Sequence, residues 1–137
     1  MNVVEIEENV QSLVSKGFKS SSFIVDFVKA YDAPKTLVQQ IKGGHQNLSD
    51  VDGAVLWRRN LHYKLAPTGQ VSTVIGELER SQATKKYKAR FVISTDGEDF
   101  AARDLVSGNT INCHFDELVV HFASFLPLAG IFIDEAI

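Results

Sequence analysis

Asp52 is followed, after nine intervening residues, by His62, and Lys64 stands two positions beyond it, a D-x9-H-x-K order. A carboxylate that holds Mg²⁺ and a lysine that positions or activates the attacking water are the parts of metal-assisted phosphodiester hydrolysis. Asp52 would be the metal ligand, and Mg²⁺ the one cofactor such a site could take. The place where a second carboxylate would complete the site holds His62, and a hard cation prefers oxygen ligands to a neutral imidazole. A site built this way should be weak or dead. The stretch "WRRNLHYK" around it also reads as an ordinary half-buried strand, with His62 and Lys64 on one face. Arg58, Arg59 and Lys64 would in either case be able to touch phosphate.

Charge is segregated along the chain. Residues 1–50 carry a net −1, residues 51–90 a net +5 and residues 91–137 a net −7, within an overall −3. The basic middle can meet a phosphate backbone or pair with the acidic third of its own fold. Residues 22–49 order a short helix, a tight turn, a second short helix and a polar loop. This stretch resembles a repressor-like helix-turn-helix. In such a motif the second helix enters the major groove by its N-terminus, so Lys35, Thr36, Gln39 and Gln40 are the base-facing residues. Two helices packed only for structural reasons would have the same pattern.

Other chemistries find little support. "IKGGHQN" has no preceding strand and no Lys-Ser/Thr after its glycines, so it is not a phosphate-binding loop. His45, His62, His114 and His121 show no paired ligand spacing. Cys113 is alone, which excludes an internal disulfide and fits a reducing cytoplasm. It reads as a small buried apolar residue, and His114 beside it as a surface residue. Asp96, Glu98, Asp99 and Asp104 read as hairpin-turn carboxylates. No apolar run approaches the ~20 residues of a membrane helix, and the acidic N-terminus is no signal peptide.

The elements that must position these residues follow from periodicity. Val3, Ile6, Val10, Leu13 and Val14 share a helical face over 2–16, closed by Gly17. "KSSS" offers an N-cap for a second helix over 22–31, and Pro34 opens a third that runs to Lys42. "AVLWRRNLHYKLA" predicts one strand, and Val71, Val74, Ile75 and Leu78 a fourth helix to residue 81. "RFVIST", "DFAARDL" and "TINCHF" predict a three-stranded meander joined at "DGE" and "VSGN". Asp116 would cap a last helix, stopped by Pro127. The order predicts a mixed α/β (α+β) fold in one domain over 1–137, with a helical part over about 1–50 and an α/β part over about 51–137.

Residues 20–131 resemble the N-terminal module of bacterial type IIG (MmeI-like) restriction–methyltransferase polypeptides. "AYDAPKTLVQQIKGGHQNLSDVDGAVLWRRNLHYK", "RFVISTDGEDFAARDLVSGNTINCHFDEL" and "HFASFLPLAGI" carry the resemblance. It implies a PD-(D/E)XK nuclease-like mixed sheet in which Asp52 and Lys64 match and His62 replaces the glutamate. No N-P-P-[YF] loop or glycine-rich cofactor loop is present, so the chain alone cannot methylate DNA. The resemblance implies a DNA-interacting accessory domain at the N-terminus of a longer cytoplasmic restriction–modification protein. Its partners would be double-stranded DNA and downstream methyltransferase domains, without a membrane. The alternatives are a sequence-reading helix-turn-helix regulator and a docking module indifferent to DNA.

Overall fold

The computed structural model describes residues 1–44 and 47–132; His45 lies outside them. Three helices come first: α1 (Val3–Ser15), α2 (Phe23–Ala30) and α3 (Lys35–Gly43). The side chain of Asn2 accepts from the N–H of Glu5, and the Glu5 carboxylate accepts from the N–H of Asn2. This reciprocal cap satisfies two donors that the first helical turn leaves open. Ile6 and Val10, one turn apart, are fully buried. α2 is the most buried helix, with Phe23, Ile24, Val25, Phe27, Val28 and Ala30 all inside, and none of its serines makes the expected side-chain cap. α3 has no fully buried residue.

The expected strand over 54–66 is instead a hairpin of β1 (Val55–Trp57) and β2 (Leu61–Leu65). Arg59 reverses the chain at φ 70°, a left-handed conformation that no glycine announces. The helix expected to reach residue 81 ends as α4 (Val71–Arg80). Extended Ser81 separates it from a further short helix, α5 (Gln82–Lys86). The meander is present as β3 (Phe91–Thr95), β4 (Asp99–Asp104) and β5 (Thr110–His114). The last helix winds as 3-10 from Phe115 to Ala129. His114, not Asp116, occupies its N-cap. Pro127 does not stop it, because the Pro127 carbonyl accepts from Gly130, whose φ of 75° makes the actual end.

The five strands lie in chain order, β1-β2-β3-β4-β5. All neighbours are antiparallel except β2 and β3, which run parallel with Leu61 opposite Phe91 and Leu65 opposite Thr95. A parallel pair requires a crossover, and α4 with α5 supplies it. Strand alternation then sorts the two faces. Leu61, Tyr63, Phe91, Ile93, Phe100 and Ala102 meet α1, α2 and the 3-10 helix in one core. Val92 and Ala101 meet Val71, Val74 and Leu78 of α4 in a second.

The larger core is aromatic. Phe27 and Phe125 are fully buried with ring centroids 5.5 Å apart and edges toward faces. Burying each ring contributes about 2–3 kcal/mol, and the edge-to-face pairing roughly 1 more. This packing ties the N-terminal helices to the sheet, so β2 and β3 form a rigid floor for the residues at their ends. Among the described residues no helix is long and apolar enough to cross a membrane.

Candidate functional site

β2 carries His62 and Lys64 on the face that α4 covers, as alternation requires. His62 is fully buried. Its Nδ1 lies 2.8 Å from Oγ1 of Thr84, and its Nε2 lies 2.6 Å from Oγ of Ser49. The Thr84 hydroxyl donates its proton to the carbonyl of Leu78 at 2.7 Å. Its oxygen must therefore accept from His62, which places the imidazole proton on Nδ1 and makes Nε2 the acceptor of the Ser49 hydroxyl. Burial holds the imidazole neutral and lowers its pKa from 6.5 to about 4, while Asp50 and Glu77 pull the other way.

The residues flanking this histidine are also engaged. The carboxylate of Asp50 accepts from the Ser81 hydroxyl and from the N–H of Ala83, and so caps α5 from the distant loop before β1. The Ser81 bond, ahead of the Ala83 one, holds Asp50 below the usual carboxylate range. Lys64 Nζ lies 2.9 Å from a carboxylate oxygen of Glu77 on α4. Asp52 sits on the exposed turn before β1.

Of the D-x9-H-x-K residues, Asp52 and Lys64 lie toward the same end of β2, because β1 runs antiparallel with Val55 opposite Tyr63. His62 lies beneath them in a closed network. Among the described residues no group of three His, Cys, Asp or Glu side chains could hold a metal ion. With both imidazole nitrogens committed and the lysine paired, these residues do not fit a divalent cation.

The acidic residues of the meander divide between two turns. Asp96 accepts from the N–H groups of Gly69, Glu98 and Asp99, which pins the β3–β4 turn. Those bonds, that from Gly69 first, lower its pKa. Asp104 lies at the far end of β4, where its two oxygens take both Nε and Nη2 of Arg90. Cys113 is half-buried, and burial together with Glu117 pushes its thiol up to about 11. His114 is exposed.

The nucleic-acid candidates occupy two surfaces. Lys35, Thr36, Gln39 and Gln40 all lie on the exposed side of α3, while Leu37, Val38 and Ile41 turn partly inward. Arg58 and Arg59 are exposed on the β1–β2 turn, at the end of β2 away from Lys64. Sequence reasoning missed Ser49, Asp50 and Thr84, the groups that fix His62 and α5. It also missed that "KKYK" at 85–88 lies against the Arg58–Arg59 turn, where the Arg59 N–H donates to the Tyr87 carbonyl at 2.9 Å. The local density of lysine in that run was the available signal.

These features define a mixed α/β module with a helix-covered sheet, a buried histidine network on β2 and a cationic turn leading into that strand. The family described as MmeI, N-terminal domain, matches residues 1–136, and the chain belongs to that family. It is also similar to DNA methyltransferase A of Bacillus subtilis (strain 168), with 25% identity over 131 residues. That match covers 96% of this chain and 15% of the length of the relative. No solved structure matches the chain.

Proposed function

We propose that the chain is a DNA-holding N-terminal accessory domain of a restriction–modification protein that carries a DNA methyltransferase, acting in the bacterial cytoplasm. Its nuclease-like core of the PD-(D/E)XK kind is degenerate. The observation that supports this most directly is the His62 network. Where a metal-dependent nuclease needs a second oxygen ligand, this chain has an imidazole bonded at Nδ1 to Thr84 and at Nε2 to Ser49. Family membership and the similarity to a DNA methyltransferase support the restriction–modification setting. Duplex DNA and the methyltransferase part of the same or a partner polypeptide are the partners this reading assigns.

The test is plasmid binding and cleavage by the 137-residue chain with Mg²⁺ or Mn²⁺, beside Asp52→Ala and His62→Glu. The expected outcome is salt-sensitive binding without nicking in all three. Metal-dependent nicking that Asp52→Ala abolishes would overturn the degenerate-core reading. Absence of binding at low salt, with binding to the methyltransferase part intact, would favour a docking module.

A second reading, a helix-turn-helix that reads sequence, is favoured by the exposure of Lys35, Thr36, Gln39 and Gln40 along α3. It requires that Gln39→Ala or Gln40→Ala change which duplex is preferred while leaving charge-driven binding in place.

A further inference from the structure

Exposed cations concentrate where two loops meet at one end of the sheet. Arg58 and Arg59 occupy the β1–β2 turn, and Lys85, Lys86 and Lys88 occupy the end of α5 and the connection to β3. All five are exposed. The two segments lie 27 residues apart in sequence between Arg59 and Lys86, yet they are fastened together by the Arg59 N–H to Tyr87 carbonyl bond at 2.9 Å. The Tyr87 N–H in turn donates to the carbonyl of Ala83.

Two of the five hold an unusual backbone. Arg59 has φ 70° and Lys88 has φ 55°, two of the three non-glycine residues with positive φ among those described. A long, unbranched side chain in the left-handed region costs roughly 1 kcal/mol or more. Here that conformation occurs at a cation on each side of the junction.

Among the described residues, no ion pair compensates the charge at this place. None of the ion pairs among the described residues includes any of the five. The nearest carboxylate in the strand register, Asp104 opposite Phe91, is already taken by both donors of Arg90. Lys86 does lie 5.3 Å from the ring centroid of Tyr87, which orients its ammonium without neutralising it. Among the described residues, the carboxylates of the acidic third therefore do not pair with these five cations.

We infer that this junction is the surface that grips the phosphate backbone of duplex DNA. The inference rests on the DNA-holding reading above and assigns that reading its contact surface. A run of like charge on two rigidly joined loops, outside every ion pair among the described residues, suits a regularly spaced polyanion. Along β2, Lys64 lies three residues beyond Leu61 at the junction end, roughly 10 Å at about 3.3 Å per residue. Phosphate binding is accordingly independent of Asp52 and Lys64, and also of α3, whereas His62 bonds Thr84, the residue before Lys85.

The experiment measures fluorescence anisotropy of a labelled mixed-sequence duplex with the whole chain across a salt series. The variants are Lys85→Gln/Lys86→Gln/Lys88→Gln, Arg58→Gln/Arg59→Gln, Lys35→Gln on α3 as the rival surface, and Lys29→Gln on α2, an exposed lysine outside both, as the comparison. Thermal melting checks that each variant is folded. Five phosphate contacts predict a log–log salt slope near about −4.5, and the triple variant should reduce it by nearly 3. Affinity at low salt should fall at least about tenfold in both junction variants and remain unchanged in Lys29→Gln. Binding unaffected in the junction variants but lost in Lys35→Gln would overturn the inference while leaving a DNA-binding domain. Absence of duplex binding by the unaltered chain at low salt would remove the DNA-holding reading and the inference with it. Preference for single-stranded RNA over the duplex would overturn the assigned partner.

Discussion

The imidazole of His62 donates from Nδ1 to the hydroxyl oxygen of Thr84, 2.8 Å away and 22 residues on in sequence. Because Thr84 gives its own proton to Leu78, the ring cannot turn over without breaking a bond. A protonated ring would present a second N–H to Ser49, whose hydroxyl would turn to the Val51 carbonyl at 3.3 Å, so what opposes protonation is burial of the charge. The neutral form is thus part of the fold.

Stability should therefore depend on pH in a definite window. The pKa of His62 falls from 6.5 to about 4 on folding, with burial the main cause. Between those values the unfolded chain binds a proton that the folded chain does not, so stability rises with pH there. Above about 6.5 both states are neutral and the contribution is complete; below about 4 it has been lost. The shift corresponds to about 3 kcal/mol across the window. Asp50, whose pKa is lowered mainly by the Ser81 hydroxyl, adds its own loss at still lower pH. Urea unfolding at a series of pH values checks this, with His62→Gln expected to flatten the histidine window. An unfolding free energy independent of pH from 4 to 6.5 would show that the ring is protonated in place.

Two buried tyrosines should respond oppositely to loss of their hydroxyls. Tyr31 donates to the Phe122 carbonyl at 2.8 Å and so ties α2's end to the 3-10 helix. Tyr63 is 4% exposed, and its hydroxyl has no partner among the described residues. Removing a made hydrogen bond costs about 1 kcal/mol, and leaves the Phe122 carbonyl to find another donor. Removing an unmade one relieves a desolvated polar atom of comparable cost. Tyr31→Phe should destabilise by about 1–2 kcal/mol, whereas Tyr63→Phe should be neutral or stabilise by up to about 1 kcal/mol. Denaturant midpoints at unchanged slope measure both, and a clear loss in Tyr63→Phe would mean that its hydroxyl finds a partner in solution.

The sheet was legible from sequence because its signals are local. The alternation of Leu61, Tyr63 and Leu65 and the turns at Asp96–Gly97 and Gly108–Asn109 specify strands and breaks within a few residues of each other. The hairpin reversal at Arg59 was not, since its left-handed φ is held by a bond to Tyr87 and not by a turn residue. The 3-10 winding through Pro127 likewise depends on packing of Leu118, Phe125 and Leu126 against α1 and α2. At the candidate site, the spacing of Asp52, His62 and Lys64 was visible but its closure was not. Thr84 and Glu77 reach His62 and Lys64 only after the crossover has folded over β2, and Ser49 reaches His62 from the loop before β1. The lysines at 85–88 were visible as charge, while their junction with Arg58 and Arg59 is a tertiary fact.

The β3–β4 turn shows how closely the N-terminal segment depends on one absent side chain. Gly97 has φ 96°, and a Cβ at this position would stand 2.8 Å from a ring carbon of Phe18. Phe18 cannot simply retreat, because its ring meets Phe115 edge-on at 5.4 Å and Phe23 at 5.5 Å. Gly108 offers a comparison in the next turn, with φ 82° and open space, nothing lying within 4 Å of where a Cβ would stand. Gly108→Ala should therefore cost only the left-handed backbone, about 1 kcal/mol. Gly97→Ala adds displacement of a packed ring, so its total should reach about 2–4 kcal/mol. Chemical denaturation of the two variants separates these contributions. Equal losses would mean that Phe18 moves aside without cost and that the segment between α1 and α2 is not locked by the turn.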